Sequence, residues 1–280
     1  MEEWRGAPVA KHIYETLKPE RDILHDKGVV PTLGILRVGA KEDDLAYERG
    51  ITSRFEKWGG KVLVKEFPEA ISQVDLERVV VEWNENPSIH GILVFNPLPK
   101  NLQLDCIREI INPKKDIDGL GYRNLGYLYA GDNRAYAPCT AQAVLEILGY
   151  YGESVRGKKI TVIGRSLVIG KPVFSLLLKK DATVTVCHTK TKDLQEEAKR
   201  GDILVVSAGV KKLVTAEYLK EGQIVVDVGI HEDGDSLCGD VDITGAPELK
   251  AYTPVPGGVG AVTTAVLFKH VVQSAIRHFV

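Results

Sequence analysis

The stretch from Lys158 to Pro172, KKITVIGRSLVIGKP, most constrains how this chain can fold. A short apolar run, Ile160 to Ile163, leads straight into Gly164-Arg165-Ser166, and Gly170 and Pro172 follow at the start of an expected helix. A buried strand that breaks at glycine into a helix N-terminus is how doubly wound α/β folds build an anion site. The free N–H groups and the helix dipole both face the ligand. The spacing is G-x-S-x-x-x-G-x-P rather than G-x-G-x-x-G, so its weight comes from what surrounds it.

Strands and helices alternate around it. Helical periodicity covers residues 1–28 and breaks near Pro19. Pro31 to Val38 reads as a buried strand, and a helix from about Leu45 to Trp58 follows, with Asp44 as its N-cap and Gly59-Gly60 as its stop. Lys61–Phe67 reads as a strand, Val74–Asn84 as a helix, His90–Val94 as a strand and Leu104–Ile111 as a short helix. Such alternation predicts a parallel sheet covered by helices. The passage from Asn112 to Tyr136 has little periodicity and is long for a structureless connection, which points to a functional or interdomain role. Pro138-Cys139-Thr140 opens another helix. Strands follow from Ile160, at Ala182–Cys187, Ile203–Ser207 and Ile224–Val228, before a last apolar helix from about Thr263 to Ala275. The fold class is therefore α/β, with a Rossmann-type parallel sheet in the second half.

A length of 280 residues allows one large or two medium domains. A net charge of −2 argues against a broad basic face for nucleic acid and against a polybasic membrane surface. No apolar run is long enough to span a bilayer. Cys106, Cys139, Cys187 and Cys238 are widely spaced, which indicates neither a metal site nor a disulfide framework. Reduced thiols, together with an acidic start that lacks an apolar signal core, predict a cytoplasmic protein.

Several segments could carry chemistry. The strand ending at Cys187 continues His188-Thr189-Lys190-Thr191-Lys192, with no acid before Asp193. A carboxylate at this point of a dinucleotide fold binds the ribose 2′-hydroxyl, whereas basic groups accept a 2′-phosphate. With Arg165 in the glycine turn, the pattern favours NADP over NAD. In Lys115–Gly119, KDIDG, Asp116 and Asp118 alternate. One can hold a heterocycle with adjacent N–H donors while the other turns the chain, although Asp-x-Asp-Gly is also an ordinary turn. Pro254–Gly260, PVPGGVG, combines stiffness with room for close backbone approach to a flat ring, and it equally suits a loop joining strand to helix. Ser207-Ala208-Gly209 ends a strand with small residues, where a cofactor needs space.

KDIDG, PCT, GRSLVIGKP, CHTKT, GDILVVSAG, VVDVGI, GDVD and TPVPGGVGAVT occur in the order seen in the FolD family. The chain thus resembles methylenetetrahydrofolate dehydrogenase/methenyltetrahydrofolate cyclohydrolases from about Pro31 to its end. The resemblance implies two α/β domains with an active-site cleft between them. Residues 1–138 and 263–280 would form the folate-binding catalytic domain, and residues 139–262 the NAD(P)-binding domain. It further implies tetrahydrofolate one-carbon derivatives as substrates, a place in one-carbon metabolism and purine biosynthesis, and a homodimer. Tyr47, Asp118, Pro256, Gly257 and Gly260 would contact the folate, with the pterin on Asp118. The cofactor would lie along Gly164, Arg165, Ser166, Gly170, His188, Thr189, Ser207, Ala208, Gly209, Gly229, Ile230, Asp240 and Gly258.

The chain also departs from the family pattern. The family carries a lysine four residues after the tyrosine that matches Tyr47, and here that position is Ile51. The family's V-Q-x-P-L-P reads Val94-Phe95-Asn96-Pro97-Leu98-Pro99, so Phe95 stands for the glutamine. Asp44 replaces a serine, and the family's G-P-M-T reads Gly260-Ala261-Val262-Thr263. Dehydrogenation needs alignment and a cofactor but no side chain that accepts a proton. Cyclohydrolysis needs a proton taken and returned, which isoleucine and phenylalanine cannot do. The expectation is a methylenetetrahydrofolate dehydrogenase with weak or lost cyclohydrolase activity. On the same helix side Arg54 stays protonated, whereas Asp44, or a bound water relay, could replace the lysine as base; Lys57 lies off that face.

Overall fold

The structure is a computed structural model that describes residues 1–234 and 236–279. Its strands are β1 (Glu2–Glu3), β2 (Thr32–Val38), β3 (Lys61–Phe67), β4 (Gly91–Val94), β5 (Lys159–Ile163), β6 (Thr183–Cys187), β7 (Ile203–Val206), β8 (Ile224–Asp227), β9 (His231–Asp233), β10 (Ser236–Cys238) and β11 (Ala251–Tyr252). Its helices are α1 (Gly6–Thr16), α2 (Lys18–Asp26), α3 (Glu42–Lys57), α4 (Gln73–Glu85), α5 (Leu104–Ile110), α6 (Tyr122–Tyr129), α7 (Cys139–Tyr150), α8 (Gly170–Leu178), α9 (Leu194–Arg200) and α10 (Gly260–Phe279). The chain divides into two compact units. One comprises Met1–His12 and Pro138–Val266, and the other Ile13–Ala137 and the chain from Leu267 onward.

The unit beginning at Ile13 is built on a parallel sheet in the order β3-β2-β4, with Ile35 paired to Val64 on one side and Leu93 on the other. Every residue of the central strand is buried, including Arg37, whose guanidinium pairs with Glu48 and Glu66. Leu36, Phe67, Leu76, Val80, Ile92 and Ile107 form part of its core. Two expectations change here. The helix after β2 starts at Glu42 with Lys41 at its N-cap position, so Asp44 lies in the first turn and does not cap it. Glu42, Asp43 and Asp44 together face the positive end of the helix dipole. The passage from Asn112 to Tyr136 contains α6, which its pattern conceals. A buried position of that helix is Asn124, whose amide donates to Pro113 O, Asp116 O and Asp116 Oδ2.

The other unit carries a parallel sheet in the order β1-β11-β8-β7-β5-β6. Val162 of β5 pairs with Val186 and Val205, and Val205 with Val226. Met1–His12, which the sequence reading groups with the folate-binding half, packs with this unit. Glu2 and Glu3 extend the sheet beside Ala251 and Tyr252, and Trp4 stacks on Tyr151 at 4.9 Å. A two-residue strand is too short to show a periodic signal. The antiparallel β9–β10 hairpin is likewise absent from the sequence reading. The last helix starts at Gly260, ahead of the expected Thr263.

Candidate functional site

The order β6-β5-β7 puts successive strands on opposite sides of β5. The connections leaving β5 and β7 therefore diverge, and open α/β sheets bind ligands in the crevice at such a switch point. Gly164, Arg165 and Ser166 follow β5 there, and Ser207, Ala208 and Gly209 follow β7. The glycines answer to packing. Gly164 has φ +127°, and a Cβ on it would stand 2.4 Å from Ser207 O. A Cβ on Gly170 would stand 2.1 Å from Gly164 O, so glycine alone lets α8 begin against the end of β5. Ser166 Oγ accepts from Ile169 N at 3.1 Å and Ser166 O from Lys171 N at 3.1 Å. Two N–H groups expected to face a ligand are thus used within the turn, while the Arg165 and Ser166 side chains stay exposed.

At the end of β6, His188 N donates to Thr191 Oγ1 at 2.8 Å and Lys190 N to His188 Nδ1 at 3.1 Å. The ring of His188 thereby shapes its own turn. Thr189, Lys190 and Lys192 are exposed beside it. Basic groups at this strand end, with no carboxylate among His188 to Lys192, are the donor set a 2′-phosphate requires.

A pocket of about 440 Å³ gathers Gly229, Ile230, Pro256, Gly257, Gly258 and Gly260. Ile230 is 63% exposed and offers an apolar edge. The loop glycines differ in what they do. Cβ atoms on Gly257 and Gly260 would meet nothing within 4 Å, so both leave open space, although Gly257 also needs glycine for its φ of +102°. Gly258 is buried, and a Cβ there would stand 2.5 Å from Pro254 O, so its close approach is to its own loop. Asp227 reaches the same pocket from the end of β8. Burial pushes its carboxyl up to about 6, although the Gly229, Val241 and Asp240 N–H groups favour its ionised form. Asp240, read in sequence as a cofactor contact, is fully buried. It accepts from Ala208 N, Gly209 N and Val210 N and pairs with His231 Nε2, so its oxygens are spent inside the protein.

In the other unit, Tyr47 and Ile51 lie one turn apart on α3. Tyr47 is 43% exposed, while Ile51 is completely buried. The Phe95 ring, at the end of β4, lies 5.5 Å from that of Tyr47, tilted by 34°. An aromatic contact therefore joins α3 to the end of β4. Arg54 Nη1 turns back to Gly50 O at 3.0 Å, and Lys57 lies over the Trp58 ring. The two aspartates of KDIDG separate by burial. Asp116 is buried and accepts from Leu120 N, Gly121 N and Asn124 Nδ2, whereas Asp118 is half-buried. Asp116 is thus the turn-former. Burial pushes its carboxyl up to about 6.

Sequence reasoning did not single out Asp227, His231 or Asn124. The one available signal was an aspartate ending an otherwise apolar strand in VVDVGI.

Residues 4–118 match the model of the tetrahydrofolate dehydrogenase/cyclohydrolase catalytic domain, and residues 138–279 that of the family's NAD(P)-binding domain. The chain is 50% identical over 272 residues to the bifunctional protein FolD of Alkaliphilus oremlandii, covering 96% of this chain and 95% of the relative. It is 48% identical over 276 residues to that of Clostridium kluyveri, covering 98% and 97%. The bifunctional FolD of Campylobacter jejuni superimposes with a TM-score of 0.95 at 38% identity, over 98% of both chains. The Trypanosoma brucei enzyme, solved with NADP cofactor and an inhibitor, gives 0.91 at 36% identity over 98% of this chain and 97% of its own. With the switch-point turns, the Tyr47 helix and both domain models in agreement, the chain belongs to the tetrahydrofolate dehydrogenase/cyclohydrolase family.

Proposed function

We propose that this protein oxidises 5,10-methylenetetrahydrofolate to 5,10-methenyltetrahydrofolate with NADP as hydride acceptor, and that its cyclohydrolase activity is weak or lost. The observation that carries the second part is the pairing of a fully buried Ile51 with a Phe95 ring packed on Tyr47. Neither side chain can take a proton from water or return one, and general acid–base catalysis contributes about two to four powers of ten.

NADP is supported by Arg165, Lys190 and Lys192, exposed at the switch point and the end of β6. Bound there, NADP supplies the hydride acceptor. The protein's part is alignment. The glycine turns admit the dinucleotide, Ile230 and the 256–260 loop wall the pocket, Tyr47 lies along the folate, and Asp118 holds the pterin edge. Homodimerisation belongs to the same proposal.

A coupled assay tests it. NADP reduction with persistent methenyl absorbance is expected, and rapid disappearance of added methenyl-folate would refute the loss of hydrolysis. One observation favours a second reading, a bifunctional enzyme in which Asp44 serves as the base. The helix starts before Asp44 and leaves its carboxylate out of the capping role. Asp44→Asn would then abolish hydrolysis and spare NADP reduction.

A further inference from the structure

Three successive N–H groups, those of Ala208, Gly209 and Val210, converge on the Asp240 carboxylate at 2.6, 3.0 and 3.0 Å. Converging backbone donors of this kind make an anion nest. Here the chain supplies the anion itself, and His231 Nε2 lies 2.7 Å from Asp240 Oδ1. The turn held in this way follows β7 at the switch point, immediately after Ser207, which packs against Gly164.

A second buried carboxylate secures the first. Asp227 Oδ1 accepts from Gly229 N at 2.9 Å and Asp240 N at 3.1 Å, and Oδ2 from Val241 N at 3.0 Å. A Cβ on Gly229 would stand 2.4 Å from Asp240 Cγ, and one on Gly239 1.9 Å from Asp227 Oδ2. The segments 227–229 and 239–240 therefore clasp each other. One leads into the pocket wall at Ile230, the other holds the turn at 208–210.

We propose that Asp240, oriented by His231, is a positioning residue that sets affinity for the dinucleotide cofactor through the 208–210 turn without touching the cofactor. The proposal rests on the NADP reading above. A carboxylate is needed because one acceptor group meets three N–H donors and the His231 ring, and asparagine would turn N–H groups of its own toward them. Gly209 and Val210 are exposed, so a released turn gives its N–H groups to water. Cofactor binding must then order it again, and the loss falls on binding rather than on the bound complex.

The test is Asp240→Asn and His231→Gln in the full chain, read by steady-state kinetics, direct NADP binding and thermal melting. Asp240→Asn should raise the KM and Kd for NADP about tenfold or more, the scale of losing hydrogen bonds to a charged group. Its kcat at saturating NADP and its folate KM should stay near wild type, and His231→Gln should move the same constants less far. An unmoved NADP KM in folded Asp240→Asn overturns the proposal. So does a joint fall in kcat and rise in both KM values with a lowered melting temperature, which marks a purely structural role. If Asp240→Asn does not fold, His231→Gln decides by the same criteria. Wild-type turnover separates the two levels. An active wild type with an insensitive variant refutes this inference alone, whereas a wild type that reduces neither NADP nor NAD refutes the reading beneath it. In the latter case the NADP Kd values still judge Asp240.

Discussion

Restoring two side chains tests the proposed division of activities. In Ile51→Lys combined with Phe95→Gln, an amine and an amide stand at the two positions where the resemblance leads one to expect them. Ile51 is 0% exposed and Phe95 7%, so both changes act on packed positions. Full burial of an isoleucine contributes about 1.5–3 kcal/mol, of which the lysine stem recovers a part. The Tyr47–Phe95 ring contact adds about 0.5–1.5 kcal/mol beyond area burial. With desolvation of the new amine, the total cost is roughly 2–5 kcal/mol, against a typical stability of about 5–15 kcal/mol. The variant should fold and melt several degrees lower. The same desolvation lowers the amine's pKa and enlarges the neutral fraction that can act as a base. Methenyl-folate decay, corrected for the spontaneous rate, should accelerate by about 10²–10⁴ while NADP reduction persists. A folded, NADP-reducing double variant with no gain in hydrolysis would refute the reasoning. So would a wild type that already hydrolyses methenyl-folate as fast as it reduces NADP.

Arg165→Ala should raise the KM for NADP about tenfold to a hundredfold and leave that for NAD unchanged, since only the former offers a phosphate to the guanidinium. Gly164→Ala puts a methyl 2.4 Å from Ser207 O at φ +127°, so NADP binding measured by calorimetry should weaken sharply and thermal stability should fall with it. Asp116→Asn leaves at least one of the Leu120, Gly121 and Asn124 donors unmatched, at about 1–3 kcal/mol in urea unfolding, and should raise the folate KM as the Asp118 turn loosens. Two buried groups give opposite pH slopes. Burial, aided by His278 and Lys115, holds the His90 pKa down at about 4, so its contribution is full above the unfolded value of about 6.5 and is lost as pH falls through 4. The Asp227 value of about 6 lies above the unfolded one, so its contribution is present below about pH 4 and lost as pH rises through 6. Urea midpoints of His90→Gln and Asp227→Asn should each lose the corresponding slope.

The parallel strands were legible by two patterns: the edge strand β3 reads as alternating, whereas β7 and β8 are buried along their whole length and read as short apolar runs. Lys61–Phe67 matches β3 end to end, and the central runs from Ile160, Ile203 and Ile224 each lie in a strand. What escaped was local structure that depends on distant partners. β1 is a strand only because Ala251 and Tyr252 lie beside it. α6 buries Asn124, whose amide is satisfied by Pro113 and Asp116, so polarity at that position argued against the helix it stabilises. Asp240 looked like a ligand contact because its motif sits among site motifs. The structure shows three N–H donors and the His231 ring already on its oxygens.

Ile51 shows what hydrophobic periodicity alone does not reveal and motif comparison does. With Phe55 it forms an i, i+4 buried pair on α3, which is what an ordinary core helix displays. Periodicity alone therefore assigns it to packing, and the structure does bury it completely. On the proposed reading, its meaning arises from the lysine that the resemblance leads one to expect at this position. The two residues make opposite demands on the same site. A lysine at a dry position costs desolvation that only its chemistry can justify, whereas isoleucine gains stability from the identical burial. Once hydrolysis is not required, the physical balance favours the apolar residue, and an aromatic ring against Tyr47 follows the same preference. On the proposed reading, replacing a working base with a better-packed core and keeping the glycine framework at the switch point are two sides of one change. What the hydride step needs from the protein is alignment, and alignment is what packing improves.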